Sequence, residues 1–160
     1  MKTLIVYASK YGGTGDIAKV LKSKINEDVD LINLKSKSEI NLNDYTTVLI
    51  GTSIYRGKAR QTVINFCAEN LDKLLEKNTG IFISCWFDDK IEEYIQSSFP
   101  DKLIENSKIV YAGILADPSE MSFLDRVIVK TVAKMKKSVS HIKENNLEQL
   151  AAITQNNNIE

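Results

Sequence analysis

Four short, almost uninterrupted apolar runs recur along the chain: TLIVYA at 3–8, TVLIG at 47–51, GIFISCWF at 80–87 and KIVYAGIL at 108–115. Runs of this length, rich in Ile and Val, are what parallel strands buried on both faces require. None approaches the roughly 18 apolar residues that a membrane-spanning helix needs. A fifth run, VDLINL at 29–34, mixes apolar with polar residues and is expected to form an edge strand with one wetter face. Helical stripes lie between the runs: Ile17, Val20, Leu21 and Ile25 make one, and Val63, Ile64, Cys67, Leu71 and Leu74 another. DDKIEEYIQSSF at 88–99 opens on acids, as helix N-termini prefer. Strands alternating with helices predict an α/β domain, a doubly wound parallel sheet with right-handed crossovers. One domain over 1–154 is expected, closed by a helix near Leu147 to Ile153 that covers the sheet, with 155–160 as a frayed tail.

Lys plus Arg and Asp plus Glu number 21 each, so the formal net charge is zero. That balance lacks the basic footprint of nucleic-acid binding and the strong acidity of a charge-steered carrier. The run near the N-terminus is too short for a secretory signal, so a cytoplasmic chain is expected. Cys67 and Cys85 lie far apart with no CxxC, which indicates neither a metal site nor a disulfide framework. His141 stands alone, and no Ser-His-Asp or Cys-His set emerges, so hydrolysis is not expected.

Sheets of this kind bind ligands beyond the carboxyl ends of their strands. The first such end is YASKYGGTGD at 7–16. A nucleotide P-loop needs a Lys after its second glycine, and none follows here. Gly13-Thr14-Gly15-Asp16-Ile17-Ala18 spells the G-x-G-x-x-A of dinucleotide binders. However, Gly13 comes well beyond Ala8, and INLKSK offers no acid at the end of the second strand. Receiver-type phosphorylation needs an Asp after the third strand, where Gly51-Thr52 stand. The remaining frame begins at Ser9: Ser9-Lys10-Tyr11-Gly12-Gly13-Thr14 places hydroxyls at both ends of a glycine-bearing loop that runs into a helix. Unpaired N–H groups and a partial positive charge there favour a phosphate dianion. Gly12 or Gly13 lets the backbone approach it closely. A plain strand-to-helix turn with Thr14 as the helix cap is the simpler reading.

This loop resembles the phosphate loop of flavodoxins, [ST]-x-T-G-x-T, at Ser9, Gly12 and Thr14, with Tyr11 in place of the usual Thr. The resemblance implies a flavodoxin-like five-stranded sheet of order 2-1-3-4-5 and one FMN held without a covalent bond. It assigns Ser9, Lys10, Tyr11, Gly12, Gly13 and Thr14 to the phosphate. Ser53, Ile54, Tyr55, Arg56 and Gly57 would cover the flavin ring, with Gly57 allowing the peptide flip that meets N5 of the reduced ring. Ser84, Cys85, Trp86, Phe87 and Asp88 would complete the ring site. Either Trp86 or Phe87 is expected to stack on the ring, since strand alternation points them opposite ways.

VYAGILADPSEMSFLDRVIVKTVAKMKKS at 110–138 further resembles the flavodoxin-type, menaquinone-dependent protoporphyrinogen IX dehydrogenases, through Ala112-Gly113, Pro118 and FLDRVIVKTVAKM with Asp125-Arg126. That likeness implies an FMN oxidoreductase passing electrons to a quinone, the alternative being a flavodoxin-type carrier between protein partners. The segment between Trp86 and Ser107 is shorter than in those enzymes and opens Asp88-Asp89-Lys90-Ile91-Glu92-Glu93, acids that would repel porphyrin carboxylates. In 123–137, Arg126, Lys130, Lys134 and Lys137 share one helical face, with Leu124, Ile128, Val132 and Met135 opposite. Such a helix is expected to pack its apolar stripe on the domain; the other reading lays it on an anionic membrane surface.

Overall fold

The computed structural model describes residues 2–36, 39–134 and 137–155. The chain enters through β1 (Lys2–Ala8), then α1 (Gly13–Ser23), β2 (Asp28–Asn33) and β3 (Thr47–Tyr55), which turns back on the two-residue β4 (Lys58–Ala59). The helices α2 (Gln61–Glu69) and α3 (Leu71–Leu75) lead to β5 (Asn78–Ser84). Next come α4 (Ile91–Gln96), α5 (Asp101–Asn106), β6 (Ser107–Ala116), α6 (Phe123–Val132), β7 (Val139–Ile142) and α7 (Glu144–Ala151). The parallel strands lie in the order β2-β1-β3-β5-β6. Those are the five apolar runs in the expected 2-1-3-4-5 arrangement, with β2 on the edge.

Two additions separate the sheet from the five-stranded expectation. β4 pairs with the end of β3 as a small hairpin, and β7 pairs antiparallel with β6, so that β6 is not an edge. β7 is the four-residue stretch Val139-Ser140-His141-Ile142, too short and too polar to carry a strand signature. Its docking depends on Gly113: a Cβ there would lie 1.9 Å from the carbonyl oxygen of His141.

Alternation along the strands builds two cores. Leu4, Val6, Val48, Ile50, Ile81 and Ile83 face α2, α3 and α5, with Val63, Phe66, Cys67, Leu74 and Leu103 packed on them. Ile5, Leu49, Phe82, Val110 and Ala112 face α1 and α7, and meet Ile17, Leu21, Leu147 and Leu150. Both sides of the sheet are covered, which is why its strands read as continuous apolar runs rather than alternating ones.

The helices are shorter than their periodicities predicted. The stripe from Val63 to Leu74 breaks at Asn70 into α2 and α3. The expected helix at 88–99 becomes a 3-10 turn followed by α4. α6 ends at Val132, soon before Lys134 takes a left-handed φ of 52°. The apolar stripe of α6 is also not packed away as expected: Leu124 is 72% exposed, Val132 61% and the neighbouring Phe123 75%. Met135, assigned to the same stripe, lies outside the described residues, as do 156–160 of the expected tail.

Candidate functional site

The first loop is drawn into a tight arch where Ser9 Oγ accepts the Gly12 N–H at 3.0 Å. Gly12, at φ 89°, is the N-cap of α1, and no side chain caps that helix. The two glycines do different work. A Cβ on Gly12 would meet nothing within 4 Å, whereas one on Gly13 would lie 1.9 Å from the carbonyl oxygen of Leu115. Gly12 is thus required by its left-handed φ rather than by a close neighbour, and Gly13 lets α1 settle against β6. Thr14 is not the helix cap. Its hydroxyl is buried without a hydrogen-bond partner among the described residues, and leaving such a group unpaired costs about 1–3 kcal/mol. An orphaned hydroxyl beside the unpaired N–H groups of a helix start suits a phosphate dianion.

The second loop is a two-residue hairpin, Arg56-Gly57, in which both φ values are positive, 52° and 78°. That is the twist-matched pattern of tight β-hairpins. Ser97 Oγ pins the turn by donating to the Gly57 carbonyl at 3.2 Å. In the third loop the strand stops at Ser84, three residues before the apolar run ends. Trp86 is half-buried and Phe87 is 44% exposed, so neither belongs to the core. Cys85 donates its thiol hydrogen to the Phe87 carbonyl at 3.3 Å, and Tyr111 donates to the Cys85 carbonyl at 3.2 Å. Burial pushes the Cys85 thiol up to about 11, which makes it a poor nucleophile at neutral pH.

These three loops meet around a cavity of about 360 Å³, a volume typical of small-ligand sites. Ser9, Lys10, Tyr11, Gly13 and Thr14 line it, with residues 53–57 and 84–87. Of the residues expected at the site, Gly12 and Asp88 do not line it.

A fourth wall was not expected from the sequence. After β6 the chain crosses back over the strand ends, and Ile114, Leu115, Met121, Ile128, Val129 and Val132 form an apolar side of the cavity. Asp125 fastens this wall. Its carboxylate accepts hydrogen bonds from the Lys10 ammonium, the Tyr11 hydroxyl and, at 3.2 Å, the Tyr55 hydroxyl. Lys10, helped by Tyr11, holds the Asp125 carboxyl down at about 2, and Asp125 in turn raises the lysine. Tyr11 also accepts the Ser122 N–H at 3.1 Å. The residue standing where flavodoxins have Thr is thus committed to α6 rather than to the phosphate loop. Ser122-x-x-Asp125 does carry a sequence signal, that of a helix start, and Ser122 Oγ accepts the Asp125 N–H at 3.3 Å. Nothing in that pattern announces that the Asp125 side chain reaches the first loop.

Fold and crevice together define a doubly wound α/β protein with a cavity at the strand ends beside β1 and β3, where the strand order reverses. Residues 4–142 match the flavodoxin domain family, and the chain belongs to that family. It is 27% identical over 146 residues to the protoporphyrinogen IX dehydrogenase [quinone] of Escherichia coli K12, covering 84% of this chain and 80% of that protein. Oxidised flavodoxin 1 from Bacillus cereus shares the fold with a TM-score of 0.61 over 100% of both chains, at 15% identity. A flavoprotein from Lactobacillus acidophilus NCFM, solved in complex with FMN, does so with a TM-score of 0.51, 18% identity and coverage of 71% of this chain and 92% of that one. The cofactor that goes with family and site is FMN, and the chemistry is flavin redox chemistry. Among the described residues no helix is long and apolar enough to cross a membrane, and no cluster of His, Cys, Asp or Glu is arranged to hold a metal ion.

Proposed function

We propose that the protein is an FMN-dependent oxidoreductase that passes electrons to a quinone at a membrane surface. The observation that carries this reading is the apolar wall of α6 and the end of β6, raised beside the three cofactor loops. A flat, apolar acceptor matches such a wall. The E. coli relative, a quinone-type protoporphyrinogen IX dehydrogenase, supports it.

In this reading Ser9, Gly13 and Thr14 hold the phosphate, while residues 53–57 and Trp86 frame the ring. FMN, when bound, supplies the electron or hydride transfer; the loops orient it and the apolar wall excludes water from its exposed edge. The exposed acids Asp88, Asp89, Glu92 and Glu93 beside the third loop oppose a polycarboxylate donor approaching from that side. On the outer side of α6, Phe123 and Leu124 stand in solvent, and Lys130 and Lys134 are exposed farther along the same segment. A segment that exposes both apolar residues and lysines suits an anionic lipid surface, where a quinone would be met.

Rapid mixing of the anaerobically reduced, FMN-loaded protein with a menaquinone analogue tests this function. Flavin absorbance is expected to return on mixing. Reoxidation that ignores the quinone and needs a redox protein would make the chain a carrier and overturn the reading.

A further inference from the structure

The first loop carries a cation, Lys10, within a segment built to hold a dianion, yet that cation is directed elsewhere. Its ammonium donates to the Asp125 carboxylate and, at 3.2 Å, to the Tyr55 hydroxyl, and lies 4.3 Å from the centre of the Tyr55 ring. Asp125 is held from several sides. Its side chain is 10% exposed, both tyrosine hydroxyls bond it, and Ser122 fixes its backbone. Arg56 and Arg60 also flank the Tyr55 ring, at 5.3 and 5.5 Å. Among the described residues, however, Lys10 is the cation that forms an ion pair with Asp125. What the loop presents to a phosphate is therefore neutral: helix N–H groups, the Ser9 hydroxyl and the orphaned Thr14 hydroxyl.

We propose that Asp125 is the internal counter-ion of the phosphate loop: by pairing with Lys10 it keeps that charge off the cofactor phosphate, and so sets FMN affinity below what the loop's own lysine would give. A free ammonium in this loop would form a charge-assisted hydrogen bond with the phosphate, roughly twice as strong as one from a neutral donor. Paired with a largely buried carboxylate, the lysine is electrically closed. The same bond ties α6 to the first two loops, so Asp125 is a positioning residue as well as a counter-ion. Separating these two roles is the task of the experiment.

This inference rests on the FMN reading of the site. It is tested by titrating the apoprotein with FMN and, separately, with riboflavin, which has the ring and ribityl chain but no phosphate. Asp125→Asn keeps the size and acceptor oxygen of the side chain and removes its charge. FMN is expected to gain about two- to fivefold in affinity relative to riboflavin in this variant. The gain should shrink with added salt and disappear in the Lys10→Met/Asp125→Asn double variant. Lys10→Met alone leaves the carboxylate unopposed, and should weaken FMN relative to riboflavin; this holds the test open if Asp125→Asn fails to fold. Equal shifts for the two flavins in Asp125→Asn would reduce Asp125 to a tether for α6 and overturn the counter-ion role. So would a gain that survives in the double variant, or an FMN-to-riboflavin ratio unmoved in Lys10→Met. A wild-type protein that binds neither flavin overturns the FMN reading itself. One that binds FMN, with the ratio unmoved in the variants, overturns the counter-ion alone.

Discussion

At Gly13 the backbone of α1 approaches β6 so closely that a Cβ would stand 1.9 Å from the Leu115 carbonyl oxygen, a backbone atom that cannot swing aside. Gly13→Ala is therefore expected to cost about 1–3 kcal/mol in urea unfolding, and a variant as stable as wild type would contradict the packing described. The Asp125 network makes a second prediction at this scale. Its carboxyl is held down at about 2 in the folded chain, below its ordinary 3.8, chiefly by the hydrogen bond from Lys10. A depressed carboxyl contributes stability that is present above its unfolded value and lost as the pH falls through its folded one. Asp125→Asn should accordingly flatten the fall in urea midpoint between about pH 4 and pH 2; an unchanged acid limb would show that the network adds nothing to folding. That Ser9 and Thr14 share one wall of the cavity was legible because they lie within six residues of each other on one loop. Asp125 was not, since it meets Lys10 across 115 positions of chain, a pairing that only the crossing of α6 creates.

Among the elements, the parallel strands were the clearest, because a strand covered on both faces must be apolar throughout. α6 shows where periodicity stops being informative. The stripe expected over 123–137 is helical only to Val132, and amphipathicity says that a helix has an apolar face and not what covers it. Here one part of that face lines the cavity, through Ile128, Val129 and Val132, and another stands in solvent. If the outer part meets a bilayer, the protein should co-sediment with vesicles rich in phosphatidylglycerol and be released by salt. Phe123→Ser/Leu124→Ser should abolish that binding without altering FMN affinity, since neither residue lines the cavity. Undiminished vesicle binding by this variant would move the contact elsewhere. β7 and the hairpin strand β4 left no readable trace, being four and two residues long and held by partners distant in or beyond their own pattern.

Across the whole molecule, the features that create the site are topological. The order β2-β1-β3-β5-β6 opens a crevice between the first and third strands, and the chain after β6 returns over it. The three loops could be placed from the sequence once the strand order was inferred; the fourth wall could not, because no strand end announces it. Zero net charge leaves recognition of the cofactor to local geometry rather than to a long-range field. The claim on which everything else depends is that the loop from Ser9 to Thr14 holds a flavin by its phosphate. Titration of the apoprotein with FMN and riboflavin, followed by quenching of flavin fluorescence, tests it directly. FMN should bind more tightly than riboflavin, and Thr14→Val should narrow the difference. Equal affinities for the two flavins, or a preference unmoved in Thr14→Val, would contradict it.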